Sequence, residues 1–155
     1  MASKSRPKSA RGSATRNRCS KNPDTVEVAA GLVFREGKLL ITQRQLDDHL
    51  GGLWEFPGGK REANESFEAG LVRELKEELG IVVEAREILD SVTHSYPEKT
   101  VHVKFYRCIW RRNEPRALGC RAFAWISREQ LEDYAFPAAD EKLLQKLRAM
   151  AKLWR

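Results

Sequence analysis

The spacing of hydrophobic residues changes several times along the chain, and each change marks a boundary between predicted elements. Apolar residues dominate positions 26–34 and resume at 39–42 after a polar turn, which predicts a β-hairpin. From residue 66 to residue 79 the spacing becomes helical, and Gly80 provides a stop. Further strands are predicted over residues 81–88, 91–95, 100–110 and 122–126.

The rest of the pattern supplies loops and a second helical region. Residues 45–52 are polar and end in two glycines, which predicts a loop, and the short apolar segment 53–56 is broken by Pro-Gly-Gly. A short helix is predicted over residues 127–134 with Ser127 as its N-cap, and a longer one over 138–153. Strands mixed with two main helices predict an α/β domain whose helices cover a sheet.

Composition narrows the class of protein. With 155 residues, 41% hydrophobic and 32% charged, the chain reads as one soluble globular domain. No apolar run approaches the ~18 residues of a transmembrane helix, and no apolar segment of a secretory signal follows the basic N-terminus. The three cysteines are scattered, which fits a reducing compartment, so we expect a cytoplasmic protein without a disulfide framework.

The net charge of +6 is confined to the first 24 residues. They carry seven basic residues and one acid, whereas the remaining 131 residues carry 21 of each sign. The segment also contains no Leu, Ile, Val or aromatic residue, so it cannot bury enough apolar surface to fold. We interpret residues 1–24 as a disordered basic tail and residues 25–155 as the folded domain. A nucleic-acid tether and an organelle presequence are the less favoured alternatives for the tail.

Three glutamates are concentrated on the helix predicted at 66–79. Because residues at i, i+3 and i+4 share a helix face, Glu74, Glu77 and Glu78 lie together, beside an apolar stripe of leucines and a valine. Carboxylates this close repel one another, and a divalent cation would remove the repulsion. Hard oxygen ligands suit Mg²⁺ or Mn²⁺. An ordinary solvated acidic face is the alternative for these three residues taken alone.

Two features just before this helix add to the pattern. The pair Gly58 and Gly59 lets backbone groups approach a ligand without an intervening Cβ. Glu65 stands between that turn and the helix, where it is placed to hold Arg73 in an ion pair and to fix the loop onto the helix.

The joint spacing of these residues is far more specific than any one of them. Gly59 is followed after five residues by Glu65, and after seven more by Arg73-Glu74-Leu75, a single residue, Glu77-Glu78, a single residue, and Gly80-Ile81. This run resembles the Nudix hydrolase signature, G-x5-E-x7-R-E-U-x-E-E-x-G-U with U aliphatic, at every specified position. The resemblance implies an α/β/α sandwich built on a mixed β-sheet. It also implies Mg²⁺- or Mn²⁺-dependent hydrolysis of a nucleoside diphosphate linked to another group.

The resemblance further implies roles for individual residues. The metal ligands would be the Gly58 carbonyl, Glu74, Glu77 and Glu78. The catalytic set would be Glu65, Arg73, Glu77 and Glu78, with Glu78 the most sensitive to mutation and Arg73 orienting carboxylates through bidentate contacts. The substrate-binding set would be Arg44, Gly59, Lys60 and Asp140.

Outside the signature the chain resembles the MutT-type subgroup. The similarity includes Arg44, the segment 54–60, Trp125 and the segment 136–140. For this subgroup it implies that water attacks the β-phosphorus of a nucleoside triphosphate, which gives the monophosphate and pyrophosphate. One position departs: the subgroup commonly carries a further Glu six residues before the late-strand Trp, and this chain has Gly119. Either Glu114 reaches the site, or the helix carboxylates suffice, or activity is reduced.

Asp140 aligns with the position that reads the edge of the base in this subgroup. An ionised Asp only accepts hydrogen bonds, so it can accept from cytosine N4, from guanine N1 and N2, or from the N7–H of 8-oxoguanine. The alternative for Asp140 is a charge that complements a helix N-terminus, and the alternative for Arg44 is a surface residue at a strand end.

These observations predict a Mg²⁺-dependent nucleoside triphosphate pyrophosphohydrolase that removes oxidised nucleotides such as 8-oxo-dGTP before they enter DNA. One alternative is a pyrophosphohydrolase of CTP, dCTP or modified cytidine nucleotides. Another is a weakly catalytic nucleotide- or nucleic-acid-binding module, to which the basic tail and Gly119 point. The expected partner is the nucleoside triphosphate, with no membrane, and with a monomer or a dimer as the assembly.

The charge distribution yields a first prediction. Since the body is neutral and carries every candidate site residue, a protein that begins at Asp24 should hydrolyse nucleotide at the full-length rate. Steady-state kinetics of the two proteins at one ionic strength would measure this. A shortened protein that folds, as judged by circular dichroism, but has lost activity would contradict the separation of tail from function.

Overall fold

The computed structural model describes residues 25–155, so the predicted disordered basic tail lies outside the described residues. The strands of this part are β1 (Thr25–Arg35), β2 (Lys38–Gln43), β3 (Trp54–Glu55), β4 (Gly58–Lys60), β5 (Val82–Tyr96), β6 (Lys99–Arg112) and β7 (Ala122–Ile126). The α-helices are α1 (Phe67–Leu79) and α2 (Glu141–Ala149), and short 3-10 helices cover Arg128–Asp133, Ala138–Asp140 and Ala151–Trp154. No helix among residues 25–155 is long and apolar enough to cross a membrane.

The strands form one mixed sheet of seven strands. Its order is β3-β2-β1-β6-β5, with β4 paired to β1 and β7 paired to β2. Strands β1 and β6 run parallel, from Thr25 opposite Thr100 to Phe34 opposite Ile109, whereas the other pairs are antiparallel. The mixed sheet predicted from the sequence is therefore confirmed.

The two helices cover opposite faces of this sheet. Successive side chains of a strand point to opposite faces, and the two apolar cores divide β1 accordingly. Ala29 and Val33 belong to the core that contains the leucines of α1, whereas Ala30 and Leu32 belong to the core that contains those of α2. The three-layer α/β/α sandwich follows from this alternation.

Helix α1 has the boundaries that its sequence predicts. The Ser66 hydroxyl accepts a hydrogen bond from the Ala69 N–H at 3.0 Å, which satisfies an amide of the first turn. Gly80 ends the helix in a left-handed conformation, at φ 72°, and its N–H donates to the carbonyl of Lys76. Leu71, Leu75 and Leu79 are fully buried, so the opposite side of α1 is left to carry charge.

Strand β5 differs from the sequence prediction because it is one strand instead of two. Its pairing with β6 shifts register between Ala85 and Ile88 and again between Ile88 and Asp90. Such bulges let a ladder continue past residues that break the apolar alternation. The two predicted segments, 81–88 and 91–95, are therefore joined by irregular pairing that no apolar pattern reveals.

Strand β4 and the C-terminal helix also differ from what the apolar pattern predicts. Strand β4 was not predicted, because its Gly58 and Gly59 carry no side chain to show alternation, yet it pairs with residues 28–30 of β1. The predicted helix over 138–153 is divided, since the chain leaves helical geometry at Met150, with φ −103° and ψ 73°.

The packing of α1 supplies a stability prediction. Leu75 is fully buried between α1 and the sheet, so Leu75→Ala should lower the free energy of unfolding by about 2–5 kcal/mol through lost burial and a cavity. The exposed neighbour Lys76 provides the control, and Lys76→Ala should stay within about 0.5 kcal/mol of wild type. Urea unfolding of the three proteins measures this, and equal midpoints would contradict the packing of α1.

Candidate active site

A cavity of about 360 Å³ lies where β1, the loop after β2, β3, β4, α1 and the β5–β6 turn meet. Its volume falls in the range of small-molecule sites. Seven of the residues singled out in the sequence line it: Arg44, Gly58, Gly59, Lys60, Glu74, Glu78 and Asp140. Glu65, Arg73 and Glu77 stand behind this wall and do not line the cavity.

Arg73 links the candidate residues to one another. Its guanidinium donates to both carboxylate oxygens of Glu65, at 3.1 and 2.6 Å, and to Glu74 Oε1 at 3.0 Å. It also donates to the backbone carbonyl of Lys60 at 3.1 Å. The bidentate pair lowers the pKa of Glu65 to about 2, chiefly through the hydrogen bonds from Arg73. Arg73 thus ties the loop before α1, strand β4 and the helix together.

The three helix glutamates do not share one environment. At about 100° per residue, Glu74 and Glu78 are about 40° apart around the helix axis, whereas Glu77 is about 100° from Glu78. Glu74 and Glu78 accordingly line the cavity. The Glu77 side chain is 59% exposed and lies 3.3 Å from Arg73 Nη1.

The two glycines of β4 allow the helix and the strand to approach closely. A Cβ on Gly59 would overlap the carboxyl group of Glu74, and a Cβ on Gly58 would overlap the carbonyl oxygen of Ala29. Because these positions have no side chain, Glu74 packs directly over the backbone of β4. The carbonyl of Gly58 and the carboxylate of Glu74 therefore belong to the same wall.

Burial and like charges act together on the carboxylates of the cavity. The pKa of Glu78 is raised to about 8, first by burial and then by the charges of Glu55 and Glu74. The pKa of Glu74 is raised in the same direction by burial, against the opposing effect of Arg73. The site therefore disfavours its own negative charge in the absence of a cation.

Glu55 is a cavity residue that no sequence pattern singled out. It lies in β3 opposite Thr42 of β2, and its carboxylate accepts a hydrogen bond from Arg44 Nη1 at 2.8 Å. Glu55 lines the cavity together with Glu78, and burial raises its pKa more than Arg44 lowers it. Its place in the segment 54–60 was a visible signal, but nothing in that segment indicated which side chain faces the helix.

Arg44 lines the cavity with a guanidinium that already has two partners. Besides its bond to Glu55, Arg44 Nε donates to the carbonyl of His49 at 2.6 Å. These contacts fold residues 45–52 back over β3. The side chain is half-buried, so it is not the free surface arginine of the alternative interpretation.

The loop between β6 and β7 contains no acid that reaches the cavity. Glu114 forms a bidentate pair with Arg35, at 2.8 and 3.1 Å, and does not line the cavity. Gly119 does line it, and the N–H groups of Leu118 and Gly119 both donate to the carbonyl of Glu78 at 3.0 Å. The alternative in which Glu114 reaches the site is therefore wrong.

Asp140 provides a polar group in a part of the wall that is otherwise apolar. Its side chain is 8% exposed, and it lines the cavity with Phe56, Phe105 and Ala139. It makes no capping hydrogen bond to α2, although it directly precedes that helix. Burial and, secondarily, the charge of Glu55 raise the pKa of Asp140 to about 7.

The donor set of this cavity fits a hard divalent cation. Glu74, Glu78 and the Gly58 carbonyl present oxygen ligands on one wall, and because burial raises the pKa of Glu78, a cation there would favour its ionised form. Among residues 25–155, no three Asp, Glu, His or Cys side chains already stand in a coordinating cluster. The carboxylates would have to draw together around an ion.

Comparison with known proteins agrees with this geometry. Residues 29–146 match the sequence model of the NUDIX domain family. The chain belongs to the Nudix family. As a Nudix hydrolase, it carries the signature glutamates on α1, and they face the cavity at Glu74 and Glu78.

Named relatives and solved structures cover most of the Nudix domain. The chain is 42% identical over 90 residues to an 8-oxo-dGTP diphosphatase of Proteus vulgaris, which covers 57% of this chain and 80% of the relative. It is 35% identical over 125 residues to a CTP pyrophosphohydrolase of Escherichia coli K12, covering 81% and 93%. The solution structure of the E. coli ORF135 protein is similar, with a TM-score of 0.70 and 34% identity over 82% of this chain and 91% of that one.

The buried charge of Glu78 generates a pH prediction. Its pKa is about 8 in the folded protein, above the ordinary value of 4.5, so the unfolded chain releases this proton first as the pH rises. The contribution of protonated Glu78 to the free energy of unfolding is fully present below pH 4.5, and it is lost as the pH rises to about 8. Glu78→Gln should therefore show a smaller fall in melting temperature between pH 5 and pH 8.5 than wild type in metal-free buffer.

The control for this experiment is Glu77→Gln, which alters the exposed carboxylate one residue away. It should keep the pH dependence of the wild type. If the melting temperatures of Glu78→Gln and the wild type fall equally between pH 5 and pH 8.5, the pKa of Glu78 is not raised in the folded protein.

Proposed function

We propose that this Nudix hydrolase cleaves nucleoside triphosphates to the monophosphate and pyrophosphate, with oxidised purine nucleotides such as 8-oxo-dGTP as its substrates. The observation that carries the proposal is one cavity that combines the signature carboxylates with the buried Asp140. The carboxylates would bind the cation that hydrolysis of a triphosphate requires, and Asp140 would form hydrogen bonds with the base. The 8-oxo-dGTP diphosphatase of Proteus vulgaris, 42% identical over 90 residues, supports this substrate class.

The groups that would hold Mg²⁺ or Mn²⁺ are the Gly58 carbonyl and the carboxylates of Glu74 and Glu78, which line the cavity. Glu77 lies outside the cavity wall and contacts Arg73, so it would join them as a ligand only if its side chain turned inward. A bound divalent cation supplies charge neutralisation and a more acidic water. Glu78 lines the cavity as one of these ligands, and position 78 would be the one most sensitive to mutation. Replacing the carboxylate by an amide would leave the cavity its shape and remove a ligand.

Arg73 and Glu65 support the carboxylates from behind. Arg73 contacts Glu65, Glu74 and Glu77 and fixes the position of α1 against β4. Lys60 extends the wall at Gly59 and offers a positive charge to the phosphates. Arg44 closes the opposite side through its bond to Glu55.

Asp140 would read the base. Above its pKa of about 7 the carboxylate only accepts hydrogen bonds, and the N7–H of 8-oxoguanine, which guanine lacks, is a donor. Below that pKa it also donates one. A pocket whose buried polar group requires a donor discriminates strongly against bases without it. Removing such nucleotides from the pool would keep them out of DNA.

A second candidate substrate is CTP or dCTP, because the amino group of cytosine also donates to an ionised Asp140. The CTP pyrophosphohydrolase of E. coli K12, 35% identical over 125 residues, favours it. The two candidates place the same demand on Asp140, so a rate comparison is needed to separate them.

The hydrolytic domain and the basic tail would have separate roles. Residues 25–155 would carry the hydrolysis, and residues 1–24 would be a basic tail outside it. We further propose that the protein acts in the cytoplasm, on a nucleoside triphosphate, as a monomer or a dimer.

A nucleotide panel tests the substrate class. Phosphate release is measured with added inorganic pyrophosphatase, with and without Mg²⁺, on 8-oxo-dGTP, dGTP, CTP and dCTP. We expect hydrolysis of 8-oxo-dGTP to exceed that of dGTP, to require Mg²⁺, and to fall by about 10² or more in Glu78→Gln, because a metal-facing carboxylate is lost.

The control in that panel is Glu132→Gln, which makes the same chemical change at a 71% exposed carboxylate outside the cavity. A high rate on CTP with none on 8-oxo-dGTP would select the second candidate. If no nucleotide released phosphate while Glu78→Gln bound nucleotide as well as wild type, the protein would be a binding module instead of an enzyme.

A further inference from the structure

We propose that Glu55 completes the metal site of this protein, supplying from β3 the carboxylate that the β6–β7 loop lacks at Gly119. This inference rests on the proposed metal-dependent function. It concerns a residue outside the signature, on a different element from the helix glutamates.

The loop that carries Gly119 packs tightly against α1. The amide of Gly119 donates to the Glu78 carbonyl at 3.0 Å, and a Cβ at this position would lie 3.2 Å from Glu78 Cγ and 3.3 Å from its Cα. The loop therefore lies directly against the backbone of Glu78. The acid nearest in the preceding sequence, Glu114, is engaged with Arg35 and stays outside the cavity.

Glu55 faces the same space from the other side. It lines the cavity together with Glu74, Glu78 and Gly119, so carboxylates from β3 and α1 face one another across it. Glu55 also stands only three residues before Gly58, and the carbonyl of the intervening Pro57 accepts a hydrogen bond from Gly31 at 2.8 Å. The segment that presents the Gly58 carbonyl thus presents Glu55 as well, on a backbone anchored to β1.

One oxygen of Glu55 is already used and the other is free for a ligand. Oε1 accepts the bond from Arg44, whereas among residues 25–155 the structure gives Oε2 no hydrogen-bond partner. The neighbouring positive charge of Arg44 lets Glu55 remain in a cavity that already holds Glu74 and Glu78. A bound divalent cation would neutralise deprotonated carboxylates that otherwise repel one another across the cavity.

A competing explanation assigns Glu55 only to Arg44. In that case Glu55 would orient the guanidinium toward a phosphate, and its loss would have the same effect as the loss of Arg44. The two explanations differ in a measurable way, because only the metal role requires Glu55 for cation binding without nucleotide.

The test is a Mn²⁺ titration of the full-length protein without nucleotide, in which electron paramagnetic resonance measures free Mn²⁺. We expect Glu55→Gln to weaken Mn²⁺ binding by about 10-fold or more. Arg44→Met should not weaken it, and the remote control Glu132→Gln should match wild type.

Wild-type Mn²⁺ affinity in Glu55→Gln, together with a rise in KM equal to that of Arg44→Met, would overturn the proposal and leave Glu55 as the partner of Arg44. Melting curves establish that each variant folds. If Glu55→Gln does not fold, the titration is repeated with Glu55→Ala. The titration uses no substrate, so a Glu55-dependent Mn²⁺ site in a protein that hydrolyses no triphosphate would refute the proposed function and not this inference.

Discussion

Carboxylates from β3 and α1 repel one another within one cavity, and the surrounding fold must oppose that repulsion. Glu55, Glu74 and Glu78 line the same space, burial raises the pKa of each, and the charges of Glu55 and Glu74 raise the pKa of Glu78 further. Two guanidiniums offset part of the cost, Arg44 beside Glu55 and Arg73 beside Glu74. A divalent cation bound beside Glu78 would favour its ionised form against burial and the neighbouring carboxylates.

The three-layer sandwich maintains this concentration of charge. Leucines of α1 pack against one face of the sheet, which fixes the helix rotation that turns Glu74 and Glu78 toward the cavity. The Gly58–Gly59 backbone brings β4 within contact of α1, and Arg73 secures the junction through Glu65. Apolar burial thus provides the free energy that holds like charges together.

Local sequence was sufficient wherever an element or a contact depends on residues close in the chain. The helix at 67–79 follows from its leucine spacing, the Ser66 cap and the Gly80 stop, and the Arg73–Glu65 pair spans only eight residues. The same patterns failed at β4 and within β5, because pairing there depends on partner strands. The spacing of the signature placed Glu77 with Glu74 and Glu78, yet the rotation of the packed helix turns Glu77 outward.

Residue spacing alone was enough to assign the family, to predict the sandwich and the acidic helix face, and to locate the net charge in residues 1–24. Which acids meet depends on how distant segments pack together. This packing brought Glu55 of β3 to the cavity and paired Glu114 with Arg35 away from it. It also buried Asp140 beside the phenylalanines. The physical reason is that a helix fixes the relative positions of its own side chains, whereas contacts between distant segments are set by sheet pairing and core packing.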